Sequence, residues 1–475
     1  MRAFPLAPGA AAAARRALAD AEPAVFWTSQ PGRPPVREPL NRVDRVCDLA
    51  IIGAGFTGLW AAIQVKEDNP SLDVVVLDQA RVGDGASGRN GGFVSPSLTH
   101  GLHQGVAMWP EEIDLLQEMA AANFAGFQAT LERYGINADF HLPGELTVSL
   151  SEHQDAAVRE AYELHVEHGV AAELLTQEQA YARVRSPLYR GGILDPGVGL
   201  VDPARLAYGL AEAAESLGVT IHEHSKVVGF DDGGRGSGAV VVRTEQGSLL
   251  ANRVVLGTGA WPVLSRTRLY VIPVYDHVLM TEPLTSEQLS SIGWEGREGL
   301  ADAGNQFHYY RRTLDDRILF GGYDANYHFP GRIDPRFEQG ESHTLLAEHF
   351  FSIFPQLHGL RFTHRWAGVI DTTSRFTPMF GKALGGKLAY AVGYTGLGVG
   401  STRWGARVAL DLALGQETER TRLTMVRRKP IPFPPEPVRG IGVRLTRSAL
   451  AKEDATGHRN LWLRALDKIG IGFDS

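Results

Sequence analysis

Residues 47–78, CDLAIIGAGFTGLWAAIQVKEDNPSLDVVVLD, decide the fold. A short apolar run ends in glycines, a segment with helical spacing follows, and a second apolar run ends in an acid, which predicts strand, helix and strand. Gly53, Gly55 and Gly58 match the pattern G-x-G-x-x-G, whose glycines allow a tight turn, close approach of a pyrophosphate and packing of helix on strand. The helix that begins near Phe56 directs its free N–H groups at those phosphates. This unit therefore predicts a dinucleotide-binding domain.

The acid at the end of the second run, Asp78, lies 20 residues beyond Gly58. At that position a carboxylate can accept hydrogen bonds from both ribose hydroxyls and disfavours a 2′-phosphate, which argues against NADP. We expect Thr57, Gln79 and Arg81 to bind the same cofactor. FAD and NAD both satisfy this unit, so the unit alone leaves the choice between them open.

Composition and charge narrow the class of protein. The 475 residues are 44% hydrophobic and 21% charged, which is ordinary for a globular protein. The formal charge of −7 argues against a nucleic-acid partner, whose phosphates require a basic face. The single cysteine, Cys47, excludes an internal disulfide and a cysteine-rich metal site. His222 and His224 share a strand face without a third ligand, so we expect no metal site.

The sequence contains no candidate membrane span. Its apolar stretches are interrupted by Gly or charge well short of the roughly 18 residues that a span requires. The paired Arg15 and Arg16 are not followed by the apolar core of a signal peptide. We therefore expect a cytoplasmic protein.

Two more apolar runs end in glycine turns, at residues 251–262 (ANRVVLGTGAWP) and 388–415 (LAYAVGYTGLGVGSTRWGARVALDLALG). Because they lie far from the first, they predict an α/β fold with a discontinuous Rossmann-like domain and a substrate domain built on a mainly antiparallel β-sheet. The predicted boundaries are 1–45 for an extended N-terminal lead-in, 46–98, 195–265 and 365–420 for the cofactor domain, 99–194 and 266–364 for the substrate domain, and 421–475 for a tail that packs on the body or forms dimer contacts.

Residues 81–93, RVGDGASGRNGGF, favour FAD over NAD. The run is too rich in glycine for a helix; Ser87 can bond a phosphate or the ribityl chain, and Asn90, Gly91 and Gly92 let backbone lie against a flat ring. Arg89 belongs to the same predicted contact. The segment resembles the flavin-contact segment of the glycine/D-amino-acid oxidase (DAO) family of FAD-dependent amine oxidoreductases. It is closest to the gamma-glutamylputrescine oxidoreductase-like branch, where GASGRNGG follows the ribose acid at this distance.

Further motifs follow in the order that this resemblance implies, over roughly residues 46–415. SKVVGF resembles the strand whose backbone contacts adenine, and VVLGTGAW (254–261) and GYTGLGVGST (393–402) resemble two further cofactor loops. Amides of the last loop would face the flavin pyrimidine edge and stabilise the negative charge of reduced flavin. The cofactor contacts implied here are Val227, Thr258, Gly259, Gly396, Leu397, Gly398 and Val399.

The resemblance also implies how the flavin is held. Members with covalent flavin often carry a Cys shortly before the closing loop, where this chain has His364 and Arg365. Cys47 lies elsewhere, so we predict noncovalent FAD, with a histidyl link left open.

The reaction implied by the family is hydride transfer from the carbon beside an amine nitrogen to flavin N5. The imine is then hydrolysed, and the reduced flavin is reoxidised by O2 or another acceptor. Leu319 occupies the position of an oxygen-activating lysine in sarcosine oxidases, which leaves oxidase and dehydrogenase open.

Candidate substrate residues come from the predicted sheet domain and its neighbours. By strand alternation Tyr309 and Arg311 share one face, and we expect that face to meet the substrate. An Arg fork suits an acid group on the amine, although a surface salt bridge is the alternative. Trp366 is expected against the isoalloxazine or the substrate tunnel, with a core position as the alternative, and His100 near the ring.

Two other functions remain open from the sequence. One is an NAD-linked dehydrogenase, against which the 81–93 and 393–402 segments argue. The other is a flavin-binding protein without turnover.

Overall fold

The computed structural model describes residues 4–43, 45–232, 238–468 and 470–471. The described strands are β1 (Arg45–Ile52), β2 (Val74–Leu77), β3 (Phe93–Val94), β4 (Glu145–Ser149), β5 (Glu173–Leu175), β6 (Gly191–Asp195), β7 (Gly199–Leu200), β8 (Thr220–His222), β9 (Val227–Asp232), β10 (Val240–Thr244), β11 (Ser248–Leu256), β12 (Ile272–Thr281), β13 (Gly299–Asp302), β14 (His308–Arg312), β15 (Ile318–Gly322), β16 (Phe362–Thr372), β17 (Met379–Ala383) and β18 (Leu388–Val392).

The described helices lie before, between and after these strands in the chain. They are α1 (Ala10–Ala17), α2 (Phe26–Ser29), α3 (Phe56–Asp68), α4 (Gly101–Met108), α5 (Ile113–Arg133), α6 (Glu152–Glu167), α7 (Gln177–Arg183), α8 (Pro203–Ser216), α9 (Ser286–Ile292), α10 (Glu341–Ile353), α11 (Gly398–Leu414), α12 (Glu419–Arg422), α13 (Thr424–Arg427), α14 (Val438–Thr456) and α15 (Leu461–Lys468). Within the described ranges, no helix is long and apolar enough to cross a membrane.

The first large sheet is the predicted Rossmann-like sheet. Its strands run in the order β17-β18-β11-β1-β2-β8, and β1 is parallel to both β2 and β11. Alternate residues of β1 face opposite layers: Ile51 packs in the core formed with α3, α8 and α11, and Ile52 packs in the core shared with β9 and β10. Burial on both faces explains why these strands are continuous apolar runs.

The second large sheet is mostly antiparallel, in the order β16-β12-β15-β14-β13-β4-β6-β5. One face, with Tyr310 and Phe320, packs on Phe350 of α10 in a second core. The opposite face, with Thr147 and Tyr309, lines a cavity. The predicted α/β class, with a discontinuous Rossmann-like domain and a mainly antiparallel second sheet, is confirmed.

Two details differ from the sequence predictions. The lead-in 1–45 is not extended throughout, because alanine is the strongest helix former and Ala10–Ala17 forms α1, which packs against α10. Strand β16 pairs with β12 along its length, so residues 365–372 lie in the second sheet and not with the cofactor strands. The remaining domain boundaries stay predictions.

Candidate active site

In the turn between β1 and α3, the glycines allow other backbone segments to pack closely against the chain. Gly53 has φ +104°, and a Cβ at this position would lie 2.5 Å from the carbonyl oxygen of Gly257. A Cβ on Gly58 would overlap the carbonyl oxygen of Gly53. The first and third glycines of the motif are therefore required by packing, and the helix begins directly after the second, at Phe56.

Asp78 ends β2 with its carboxylate at the cavity. Its Oδ2 accepts a hydrogen bond from the Ala54 amide at 2.7 Å and its Oδ1 accepts one from the Ala80 amide at 2.8 Å. Burial raises the pKa of Asp78 to about 6, although these two amide bonds oppose the rise. The remaining lone pairs can accept from hydroxyl groups of a bound ribose.

One cavity of about 1660 Å³ joins the separated glycine segments. Gly91 and Gly398 both line it, so the two loops predicted to contact flavin meet at one site. Of the predicted cofactor residues, those lining the cavity are Gly53, Gly55, Phe56, Thr57, Asp78, Gln79, Ser87, Arg89, Asn90, Gly91, Gly92, Val227, Thr258, Gly259, Gly396, Leu397, Gly398 and Val399.

Two predicted cofactor residues lie behind the lining. Gly58 is packed against Gly53, as described above. The Arg81 guanidinium donates to the Pro34 carbonyl and lies 3.9 Å from the Glu223 carboxylate, so it is anchored to the lead-in. Gly58 thus has the packing role expected of the third glycine of the motif, and Arg81 supports the lining from the lead-in; a direct contact of either with the cofactor stays a prediction.

The loop at residues 86–92 is fixed by its own side chains. Asn90 donates through Nδ2 to the Ser87 carbonyl at 3.0 Å and accepts at Oδ1 from the Gly92 amide at 2.8 Å. Ser87 Oγ accepts from the Phe56 amide at 2.9 Å, which joins this loop to the start of α3. Backbone at Gly91 is thereby held against the cavity without a helix or strand.

Trp366 supports this loop from behind. The side chain is 1% exposed, does not line the cavity, and donates from Nε1 to the Arg89 carbonyl at 2.9 Å. The expected contact with the isoalloxazine or the tunnel is corrected: Trp366 occupies the core position that was the alternative. Arg89 itself lines the cavity and pairs with Glu338 at 2.8 Å.

The closing loop leads into α11. Asp371, at the end of β16, accepts from the Gly393 amide at 2.5 Å, and burial raises its pKa to about 6. Gly396 has φ +93° and no atom within 4 Å of a Cβ placed on it, so this backbone borders open space. Nearby, the Arg375 guanidinium donates to the carbonyls of Arg428 and Met425.

Tyr309 faces the cavity from the second sheet, as predicted. Its hydroxyl donates to Asp276 Oδ2 at 2.5 Å, and a Cβ on Gly91 would lie 2.7 Å from its ring. Burial raises the pKa of Asp276 to about 6 and holds the pKa of Tyr309 well above its ordinary value. Asp276 was not predicted from the sequence, although it follows Ile272 and Val274 at two-residue spacing on the cavity face of β12.

Arg311 shares the face of Tyr309 but does not line the cavity. It is fully buried, and its Nη1 donates to the Val201 carbonyl at 2.5 Å and approaches the Gly91 carbonyl at 3.5 Å. Burial lowers its pKa to about 10, so it remains charged at neutral pH. The prediction that Arg311 binds an acid group of the substrate is wrong, because β14 carries it under the 91–92 turn, beyond the cavity wall.

His100 lines the cavity near the closing loop. Its ring packs edge-on against Phe376 at 5.6 Å between centroids, and burial lowers its pKa to about 4. The imidazole is therefore neutral at pH 7. No group of His, Cys, Asp and Glu in the described part of the chain has an arrangement that could hold a metal ion.

The C-terminal tail packs on the body and forms part of the cavity wall. Arg447 of α14 pairs with Asp324, and the Asp454 carboxylate accepts from the amides of Asn305 and Gln306 at 2.9 and 2.8 Å. Trp462 of α15 also lines the cavity. The sequence left the packing of this tail open.

The residues present suit FAD. Glycine backbone borders open space where a flat ring could lie, the α3 N-terminus meets the same cavity, and Asp78 offers carboxylate oxygens. A dinucleotide cavity between a Rossmann-like sheet and an antiparallel sheet defines a two-domain flavin-dependent oxidoreductase.

The chain belongs to the DAO family of FAD-dependent oxidoreductases, whose family model matches residues 48–412. The predicted family and cofactor are thereby confirmed. It is 30% identical over 388 residues to the probable oxidoreductase OrdL of Haemophilus influenzae, covering 80% of this chain and 85% of the relative. It is also 30% identical over 379 residues to the gamma-glutamylputrescine oxidoreductase of Escherichia coli, covering 78% and 84%.

A solved structure shares the fold. Glycine oxidase from Geobacillus kaustophilus superposes with a TM-score of 0.65 at 21% identity, covering 79% of this chain and 96% of that one.

Proposed function

We propose that this protein oxidises the carbon–nitrogen bond of a small amine at its FAD site. The observation that carries the proposal is the meeting of Gly91, Gly398 and Tyr309 at one cavity, with cofactor loops on one side and the second sheet on the other. The gamma-glutamylputrescine oxidoreductase of E. coli supports an amine as the substrate class.

The cofactor would be held by backbone more than by charge. Asp78 would accept from ribose hydroxyls, the α3 N-terminus would meet the phosphates, and the segments around Gly91 and Gly398 would contact the ring. When bound, FAD supplies a two-electron acceptor. Since Cys47 is buried in β1 and does not line the cavity, noncovalent binding remains our prediction.

The side chains of the cavity position a neutral amine. Tyr309 and Asp276 form a hydrogen-bonded pair whose carboxylate is an acceptor for a substrate N–H group. His100 is neutral and adds no positive charge that would repel a protonated amine. Positioning of this kind lowers the barrier without a strong protein base.

The overall reaction consumes a primary or secondary amine, water and an oxidised acceptor. The amine loses two electrons and two protons to become an imine, and water then releases a carbonyl compound and the free nitrogen base. The terminal acceptor in our proposal is O2 or another electron acceptor. Leu319, where an oxygen-activating lysine was considered, is fully buried in the core and does not line the cavity.

Anaerobic mixing with a panel of amines tests the proposal. We expect purified holoprotein to lose its visible flavin absorbance with at least one amine, and readmission of O2 or of an artificial acceptor to identify the acceptor class. Flavin that binds but is reduced by no amine would leave the noncatalytic flavin protein as the function.

A cytoplasmic location also remains a prediction.

A further inference from the structure

We propose that Glu145 forms an anionic subsite that binds a second, positively charged group of the amine substrate. The inference rests on the proposed function and names its substrate class as diamines, in which one nitrogen reacts as the neutral amine and the other binds Glu145 as an ammonium group. It replaces the acid group that the sequence analysis expected on the substrate.

Glu145 lies on the cavity face of the second sheet. In the strand register Glu145 lies opposite Gly299 of β13 on one side and Asp195 of β6 on the other. Glu145 and Asp195 line the cavity together with Thr147. Adjacent strands lie about 5 Å apart, so Glu145 is roughly 10 Å, or two strand spacings, from the strand that carries Tyr309. A bound molecule that reaches the ring can therefore extend along the sheet to Glu145.

Phe93 connects this subsite to the flavin loop. It follows Gly92 directly, its ring packs edge-on to Tyr309 at 6.0 Å, and it occupies the space that a Cβ on Gly299 would need. The Phe93 ring packs against Gly299 of β13, and Gly299 is the register partner of Glu145. Glu145 therefore lies on the strand next to the one that the Phe93 ring contacts. The subsite is thus adjacent to the loop predicted to contact flavin.

The Glu145 carboxylate makes no hydrogen bond or ion pair with any residue that the structure describes. The Glu145 side chain is half-buried and lines the cavity. Burial, and to a smaller extent the like charge of Asp195, raise its pKa to about 7. His165 of α6 lies near enough to Asp195 to lower the pKa of that carboxyl group electrostatically. A half-buried carboxylate beside a second acid is unfavourable without a cation, and a ligand ammonium group would supply one.

Three of the four arginines that line the cavity are paired with acids, and the fourth, Arg439 of α14, donates through Nε to the Pro434 carbonyl. Arg89 pairs with Glu338, Arg447 with Asp324, and Arg459 with Glu453. These three arginines therefore have protein carboxylates as partners, and Arg311 is buried behind the 91–92 turn, away from the cavity. The charge balance of the cavity therefore favours a cationic rather than an acidic distal group.

The test compares amines of one chain length on the holoenzyme. We expect 1,4-diaminobutane and 1,5-diaminopentane to reduce the bound flavin anaerobically at lower concentration than butylamine, pentylamine or 4-aminobutanoate. In Glu145→Gln the diamine concentration for half-maximal rate should rise about tenfold or more, because one partner of an enclosed charge pair is removed. The monoamine concentrations for half-maximal rate should not change.

Two further variants control the test. Glu160→Gln removes an equal charge from an exposed position of the cavity rim and should leave both substrate types unchanged. Glu145→Asp should restore part of the preference for diamines. Retained flavin and an unchanged Tm in Glu145→Gln show that the variant is folded.

The outcomes separate the two proposals. Monoamines used as well as diamines, or an equal effect of Glu145→Gln on both, would overturn the subsite while the amine oxidoreductase stands. Preference for 4-aminobutanoate would also overturn it. If no amine of the panel reduces the flavin, the proposed function fails first.

Discussion

Replacing Asp276 by Asn changes how stability depends on pH. In the folded protein burial raises the pKa of Asp276 from its ordinary value of 3.8 to about 6, so ionisation of this carboxyl group disfavours the folded state. Its stabilising contribution is fully present below pH 3.8 and is lost as pH rises through about 6. Asn cannot ionise, so the variant lacks this loss.

The magnitude follows from the two pKa values. The difference between 3.8 and about 6 corresponds to about 3 kcal/mol, at 1.36 kcal/mol for each pKa unit. Replacing an oxygen by an NH2 group also perturbs the bond from Tyr309, but that cost does not depend on pH. The unfolding free energy of the variant relative to wild type should therefore rise by about 3 kcal/mol between pH 3 and pH 7 and then level off.

The assay is reversible denaturant unfolding of both proteins at a series of pH values, with FAD in constant excess because bound ligand adds to stability. Every other titrating group is common to the two proteins and cancels in the difference. A difference that is flat across this range would show that Asp276 titrates as an ordinary surface carboxylate. The enclosed Asp276–Tyr309 pair would then be wrong.

Three other substitutions test separate parts of the site. Gly91→Ala places a methyl group 2.7 Å from the Tyr309 ring and should cost about 1–3 kcal/mol of stability and weaken FAD retention, whereas Gly359→Ala, with no atom within 4 Å, should do neither; equal Tm values would contradict the packing. Arg311→Met should lower Tm and FAD affinity without changing the preference between acidic and neutral amines; a selective loss of acidic amines would restore Arg311 as a substrate ligand. Asp454→Ala removes charge-assisted bonds worth about 1.5–3 kcal/mol to the docking of α14 and should raise KM more than it lowers kcat, while an unchanged KM would show that the tail is not part of the working cavity.

Much of the cofactor half follows from local sequence. The apolar runs of β1 and β2, the spacing of Gly53, Gly55 and Gly58, and the acid at position 78 each have a short-range physical reason. The loops at 86–92 and 396–399 were predicted through family resemblance, and the structure brings both to one cavity. Their individual contacts with the cofactor stay predictions.

The substrate half depends on long-range geometry that alternation alone cannot give. Tyr309 and Arg311 were correctly placed on one face of β14, but whether that face meets open cavity or a packed turn depends on Val201, more than 100 residues away in sequence. Asp276 and Glu145 look like ordinary acids in β-like segments until the register of six strands is known. The role of Trp366 likewise depends on a single bond to the Arg89 carbonyl.

The strand order of the Rossmann-like sheet also determines how long an edge of β1 stays unpaired while the chain is being synthesised. β1 lies between β2, which is nearby in sequence, and β11, which begins at Ser248, while α11 joins the same core only from Gly398 onward. A nascent chain that has not yet reached Ser248 therefore carries β1 with one edge unpaired, and unpaired strand edges invite association with other chains. Slow synthesis of the middle third would consequently lengthen the interval in which this protein is prone to aggregate.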